Sequence, residues 1–488
     1  MNKIVNNVVI LGGGTAGWMT AAALSKVLSN VKVTLVESEQ IGTIGVGEAT
    51  IPTMQFFNGL LDLDSHTFLK HTRGTYKLGI QFENWAAQEH SYFHAFGSTG
   101  RSLWAAGFHD FWRKGLELGI SDNFSAYNIE AVAAGANRFA QSKNGLNYAF
   151  HLDSSLYAKL LRSVAEKQGV TRIEGKVAKV NCDAGTGFIS SLLLESGEHV
   201  AGDLFVDCSG FKGLLINETL KVPFNDYGQW LKCDRAWAVQ TKTSNTPVPY
   251  TRSIAHESGW QWRIPLQHRM GNGIVYSSQY MDDDTARERL LSTVEGELIT
   301  EPRLIGFKTG HREQLWHKNC VAIGLSGGFI EPLESTAIHL IQQGILRLIK
   351  LFPSQGIEQL DIDEFNKSGM SDYQQIRDFI VLHYCQTQRD DSDFWRYCKQ
   401  MEIPESLQER MSLFRKTGRF IVRHEEIFVD SWLQVMIGQG LIPEKYHRIA
   451  DEMQAHELKA FLDNIVSSHH RQVSALPEHQ QYLTRYCQ

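Results

Sequence analysis

What the 488-residue chain lacks narrows its function first. It has no surplus of basic charge: Lys and Arg total 48 against 54 Asp and Glu, a formal net charge of −6. Wrapping a nucleic acid calls for a basic surface, and so does a polybasic hold on an anionic membrane, so neither partner is expected. No apolar run approaches the ~18 residues of a membrane-spanning helix. The seven cysteines (Cys182, Cys208, Cys233, Cys320, Cys385, Cys398, Cys487) are odd in number and scattered. They contain no C-x-x-C pair, which removes a thiolate zinc site and a thioredoxin-like motif. A reducing, cytoplasmic setting is the default for such usage. Nineteen histidines, His469-His470 among them, show no ligand spacing with Cys or Asp, so no metal is expected. Proline (11) and glycine (41) stand at ordinary levels, which excludes collagen-like and disordered chains.

What is present is ample apolar material, 42% of the chain, and a length that corresponds to about three domains of about 150 residues. Asn7 to Leu11 is a β-branched run that stops at Gly12-Gly13-Gly14. Ala16 to Leu28 carries strong helix formers with one apolar face, and Val31 to Val36 alternates with period two. A βαβ unit is therefore expected within the first forty residues. It also explains the leader-like look of Met1 to Leu24, whose glycine cluster reads as a phosphate-binding turn, so no targeting segment is expected. Arg172 to Asn181 and His199 to Cys208 read as strands with glycine-containing turns. Ser335 to Leu351 reads as a helix. Beyond Phe352-Pro353 aromatic and charged residues recur at helical spacing, which predicts two modules: an interleaved one over 1–353 and a mainly helical one over 354–488.

Gly12-x-Gly14-x-x-Gly17 lies between the first strand and helix. The first glycine permits the tight turn, the second lets backbone approach a pyrophosphate, and the third allows close helix–strand packing. The helix N-terminus adds free N–H groups for phosphate. Glu37 closes the second strand about 20 residues past Gly17, where a carboxylate accepts from ribose hydroxyls. NAD and FAD share this fingerprint. The later segment Ala201 to Gly213, which ends a strand at Asp207 before Ser209-Gly210, offers a second phosphate- or ribitol-facing turn and tilts the choice to FAD.

Four more segments follow in order: Gly45-Val46-Gly47-Glu48-Ala49-Thr50-Ile51-Pro52; Tyr76-Lys77-Leu78-Gly79-Ile80 with Phe82 and Trp85; Gly259-Trp260-Gln261-Trp262-Arg263-Ile264-Pro265; and Gly324-Leu325 through Phe329-Ile330-Glu331-Pro332-Leu333-Glu334-Ser335-Thr336. Together with the glycine motif they resemble the flavin-dependent tryptophan halogenase family, up to about residue 353 and more loosely beyond. The resemblance implies an α/β fold: a Rossmann-like FAD-binding module of the flavin monooxygenase type, completed by a mainly helical C-terminal substrate module. It implies an enzyme that takes reduced FAD (FADH2) from a separate flavin reductase, uses O₂ and a halide, chloride or bromide, to make hypohalous acid, and delivers it to a small aromatic substrate. No second glycine fingerprint for NAD(P)H is visible, which agrees with an external reductase. A second copy of the chain is left open as a partner.

Residue by residue, Lys77 matches the family's catalytic lysine, and its apolar neighbours suit an amine that must be desolvated to act as a nucleophile. Glu334 matches the second catalytic residue, suited to general-base work in an apolar surround; its place just before a helix, with Ser335 and Thr336, equally suits capping. Cofactor contacts are implied at Gly12, Gly14, Thr15, Ala16, Gly17, Glu37, Glu48, Ala49, Val177, Leu325 and Ile338. The family holds halide on the backbone of a Thr-Gly pair; here it is Thr336-Ala337, and alanine disfavours positive φ, so an altered halide pocket that favours bromide is expected. Trp260, Trp262 and Pro265 match the signature that walls flavin from substrate, although two tryptophans at i and i+2 also suit a strand core. His94 and Phe96 match the indole pocket, and the Phe428-Val429 pair stands where the family places a further part of it.

Free-tryptophan halogenases pair tyrosines and a glutamate with the amino acid's polar end. The counterpart here, Arg423 to Met436, has no adjacent tyrosines, has Phe428-Val429 in place of Phe-Trp, and offers Glu425 and Glu426 in uncertain register. Leaving a zwitterion unpaired costs a few kcal/mol. Indole or a simple indole derivative is therefore expected rather than free tryptophan. The competing readings are an FAD-dependent aromatic hydroxylase, which needs neither Lys77 with Glu334 nor W-x-W-x-I-P, and a flavin-binding protein without catalysis. Asp390-Asp391 with Phe394-Trp395 reads as helix packing.

Overall fold

The computed structural model describes residues 4–40, 47–142, 145–243, 246–422 and 426–488. Gly45, Val46 and Glu425 lie outside the described residues. The chain forms two compact units that interleave in sequence. The first comprises Met1–Arg73, Leu152–Gln229 and Gly306–Gln374; the second comprises Gly74–His151, Trp230–Ile305 and Gln375–Gln488.

The first unit is built on a mainly parallel sheet. β1 (Asn7–Leu11) lies at its centre, paired in parallel with β2 (Lys32–Glu37) on one side and with Leu204–Asp207 on the other. Thr171–Glu174 extends the sheet beyond β2, and Cys320–Ala322 extends it beyond Leu204–Asp207. Val8, Val9 and Ile10 are all buried, and Val9 packs with Leu11 and Val36 against Ile189, Leu192 and Leu194 of an antiparallel strand. α1 (Thr15–Val27) follows β1 directly, and its small Ala21, Ala22 and Ala23 allow close packing against the sheet.

Two expected strands each prove to be two. Arg172–Asn181 breaks at Gly175 into Thr171–Glu174, which pairs with β2, and Val177–Cys182, which pairs with Ile189–Leu194. His199–Cys208 breaks at Gly202: His199–Ala201 joins Ile189–Leu194, whereas Leu204–Asp207 joins β1. In both cases the chain changes sheets at a glycine, a step that local periodicity does not record.

The second unit holds a large sheet in which Arg303–Gly306 lies at the edge beside Arg235–Thr241 and the order continues Met270–Tyr276, Gly259–Pro265, Thr251–His256, Gly79–Glu83, Ser91–Ala95. From Arg235–Thr241 on, neighbours run antiparallel except Thr251–His256 with Gly79–Glu83. From residue 354 on, the described residues form helices and connections, as the periodicity predicts. Trp260 and Trp262 lie buried on the Gly259–Pro265 strand with ring centroids 6.2 Å apart. Gly273 pairs opposite Trp262, and a Cβ there would sit 2.0 Å from the indole. The ring therefore lies across a position that only glycine leaves open. Gly273→Ala is expected to cost about 1–3 kcal/mol by overpacking, read as a lower urea midpoint; an unchanged midpoint would show that Trp262 is loosely seated.

Candidate active site

In the first unit the glycine turn is built as the spacing predicts. Gly12 has φ +116°, and a Cβ on it would lie 2.2 Å from the Cys208 carbonyl oxygen; a Cβ on Gly17 would lie 1.8 Å from the Gly12 carbonyl oxygen. At Gly14 a Cβ would meet nothing within 4 Å, so the turn opens on free space. Gly14 also caps α1 without a side-chain hydrogen bond, and the first turn holds no acid, which leaves the helix's N–H groups for a phosphate. Glu37 lies over the turn, its Oε2 occupying the place of a Gly13 Cβ, while Arg172 Nε and Arg162 approach its Oε1. A diphosphate with an adjoining ribose fits these donors and this acceptor.

Other expected cofactor residues lie in the same unit. A Cβ on Gly324 of the Gly324–Ser326 turn would lie 2.9 Å from the Ala16 side chain, so the residue before Leu325 packs close to the start of α1. Ile341 of the Ala337–Lys350 helix touches the same glycine, and Ile338 is buried one turn earlier. Val177 packs into the cluster of Leu11 and Val36, the strand ends that flank the glycine turn. Glu48 and Ala49 lie on the short Gly47–Ala49 strand, and burial pushes the Glu48 carboxyl up to about 7. Asp207 ends the strand that leads into the second expected turn. Its Oδ1 accepts from the Ser209 N–H and hydroxyl, and its Oδ2 accepts from the Leu215 and Ile216 N–H groups. Both oxygens hold the chain's own turn.

Glu334 is 2% exposed. Ser335 has φ +60°, a left-handed conformation that is uncommon for a side chain bearing a Cβ. The capping alternative does not hold for Thr336: it precedes the Ala337–Lys350 helix without a side-chain cap, and its buried Oγ1 has no hydrogen-bond partner among the described residues. Ala337 is the first helical residue and keeps negative φ, so its methyl adds no backbone strain. The strain sits at Ser335 instead, and the positive-φ reason for an altered halide pocket falls away.

In the second unit Lys77 ends the Thr75–Lys77 strand with no solvent exposure, its Nζ 5.2 Å from the Phe96 ring centroid. The contact follows from the backbone, because the Phe96 N–H donates to the Leu78 carbonyl at 2.9 Å. His94 is buried with its ring 5.8 Å from Phe379, which stacks on Phe428 at 4.3 Å and meets Trp432 edge-on at 4.9 Å. Val429 follows Phe428 and is half-buried. Phe379 joins the His94 and Phe428 segments, yet no sequence signal marks it. Gln434 fastens the same segment by accepting from the Ala95 N–H and donating to the Gly97 carbonyl. Glu426 is engaged by Arg410 at 2.7 Å, whose guanidinium lies 4.4 Å over Trp432. Asp391 holds Arg389 in a two-pronged ion pair over buried Trp395, which is helix packing.

Among the described residues no helix is long and apolar enough to cross a membrane, and no group of three or more His, Cys, Asp or Glu could hold a metal ion.

A parallel sheet with a glycine cradle at the head of its first helix defines a Rossmann-type dinucleotide-binding protein. A tryptophan halogenase family model matches residues 7–455. A tryptophan 6-halogenase from Streptomyces albogriseolus is 34% identical over 91% of each chain. Among solved structures, a flavin-dependent halogenase from Xanthomonas campestris is 49% identical with a TM-score of 0.98 over 99% of each chain. One from Brevundimonas sp. BAL3 is 43% identical with a TM-score of 0.96, also over 99% of each. The chain belongs to the tryptophan halogenase family and is a flavin-dependent halogenase, an enzyme.

Glu48 gives a test of this geometry. Its carboxyl keeps its proton up to about pH 7 when folded and titrates at 4.5 when not. Wild-type stability should therefore fall as pH rises from 4.5 through 7. Glu48→Gln should escape that loss, so its melting temperature in cofactor-free protein should overtake wild type toward pH 8. Parallel pH dependence of the two proteins would refute the raised Glu48 carboxyl.

Proposed function

We propose that the enzyme halogenates an electron-rich ring, indole or a simple indole derivative rather than free tryptophan, with Lys77 carrying the halogen. The observation behind this reading is a lysine amine with no solvent exposure, placed over the face of Phe96. Gly12, Gly14, Thr15, Ala16, Gly17, Glu37, Glu48, Ala49, Val177, Leu325 and Ile338 would hold FAD. When bound in reduced form, FAD supplies with O₂ the oxidising equivalents that turn halide into hypohalous acid; a separate flavin reductase provides the reduced cofactor. The N–H groups at Thr336-Ala337 would hold the halide, as helix N-termini hold anions.

A desolvated, deprotonated lysine amine is a nucleophile toward electrophilic halogen. In this reading the Lys77 N–halogen bond forms as the halogen–oxygen bond of hypohalous acid breaks, and water leaves. A ring carbon then takes the halogen as the N–halogen bond breaks, the Glu334 carboxylate accepts the proton the ring loses, and return of one proton to the nitrogen restores the amine and leaves Glu334 a carboxylate. Trp260, Trp262 and Pro265 would wall the ring from the flavin and so suppress hydroxylation. Residues 1–353 carry the flavin chemistry in this assignment, and 354–488 complete the substrate pocket.

Two observations support a substrate without an amino-acid end. Glu426, an acid offered by the segment expected to hold that end, is already engaged by Arg410. Phe428 is followed by Val429, with no tyrosine pair in the segment. An unmatched ammonium and carboxylate would cost a few kcal/mol, or about two orders of magnitude in kcat/KM.

The test is one reaction containing protein, FAD, NADH, a generic flavin reductase, O₂, equimolar chloride and bromide, and indole beside tryptophan, read by mass spectrometry. Bromide is the less strongly hydrated halide and is expected to dominate the product, with indole rather than tryptophan modified. Glu334→Gln should lower turnover about 100-fold or more. Preferential turnover of tryptophan would refute the substrate, and an oxygen added without halide would refute the reaction.

A further inference from the structure

His151 has no solvent exposure and no part in the chemistry above. It lies on the Ala149–Asp153 strand, which pairs antiparallel with the lysine strand so that His151 faces Thr75 and Ala149 faces Lys77. Side chains directly opposite, or two apart on one strand, share a face of the sheet. His151, Thr75, Lys77 and Ala149 therefore form one patch, with the small alanine leaving room beside the lysine. Both ring nitrogens are engaged: Nδ1 lies 2.8 Å from Thr75 Oγ1 and Nε2 lies 2.9 Å from Thr251 Oγ1. The Thr75 hydroxyl also lies 2.7 Å from the carbonyl oxygen of Pro265, the last residue of the tryptophan strand.

Counting protons fixes the tautomer. A carbonyl only accepts, so Thr75 donates its one hydroxyl proton to Pro265 and can only accept from the imidazole. Nδ1 must then carry a proton, and Nε2 of the neutral ring takes the Thr251 hydroxyl proton. A second ring proton would oppose that hydroxyl and add a charge to the patch that Lys77 shares. Burial first, then Lys77 and the ring of His479, hold the imidazole well below the ordinary histidine range. His479 is itself held down to about 4 by burial, with its Nδ1 2.8 Å from the Pro247 carbonyl oxygen.

We propose that His151 is a positioning residue for Lys77: its Nδ1–H, through the Thr75 hydroxyl, locks the lysine strand to the Pro265 end of the tryptophan strand and so holds the amine at one place. The inference rests on the role assigned to Lys77 above. A three-residue strand has little ladder of its own, and a lysine side chain has four rotatable carbons; the lock supplies what the ladder does not. Without it, halogen escapes as free hypohalous acid instead of reaching the ring.

The experiment follows where the oxidant goes: ring product and halogenated 1,3-diketone scavenger are both counted per reduced flavin consumed. His151→Leu removes both ring hydrogen bonds. It should lower ring product about tenfold, since small misplacements of a reacting group are costly, shift the balance to the scavenger, and leave KM for indole within about twofold. His151→Asn places an amide donor where Nδ1–H was and should recover most of the ring product. Wild-type partition in His151→Leu, or no recovery in His151→Asn, would overturn the proposal. Lys77→Ala runs alongside: ring product from that variant refutes the role of the lysine, a result distinct from failure of the lock. Should His151→Leu not fold, ¹⁵N-histidine NMR of the wild-type enzyme decides. Nδ1–H with bare Nε2 from pH 6 to 8 supports the lock; an Nε2–H tautomer or a titration in that range overturns it.

Discussion

A lysine amine removed from water is the constraint around which the second unit is arranged. Leaving bulk solvent costs an ammonium several kcal/mol, so the side chain stays buried only if its strand cannot swing outward. Tyr76, on the opposite face of the same strand, is stacked on Phe139 at 4.0 Å and boxed by Tyr148, Phe150 and Tyr482. Backbone hydrogen bonds from Leu78 to Pro249 and from Phe96 to Leu78 fix the strand's exit. The aromatic density that looks like generic core in the sequence thus anchors one polar group on the strand's far side.

In the first unit, one short stretch combines backbone strain with buried polarity. Asp207 is buried yet fully matched by four donors. Three residues, Glu334 to Thr336, by contrast combine a buried acid, a left-handed serine and a hydroxyl with no partner among the described residues. Backbone strain and buried unpaired polar atoms persist where surrounding structure forces them, and functional sites are where they gather.

Legibility in the sequence followed the range of the interactions. The glycine turn, β1, α1 and β2 are encoded within forty residues, and each glycine's reason is local, so spacing predicts them. The strand breaks at Gly175 and Gly202 were not legible, because which sheet a segment joins depends on partners far along the chain. Thr336 reads as a cap by residue type but does not cap, because a side chain's direction is set by its burial. Phe379, Arg410 and the Trp432–Gln434 pair lie on three different helices and Glu426 on a connection, so they meet only through tertiary packing. His151 gave no signal at all: its meaning comes from two threonines at 75 and 251 that the fold places on either side of one ring.

The measurement closest to the central claim compares wild type with Lys77→Ala under identical flavin supply, with bromide and indole, following reduced-flavin oxidation and product mass together. The account predicts a bromine isotope pair on the product of wild type alone, while flavin oxidation continues in both proteins. Brominated product from Lys77→Ala at the wild-type rate would contradict it.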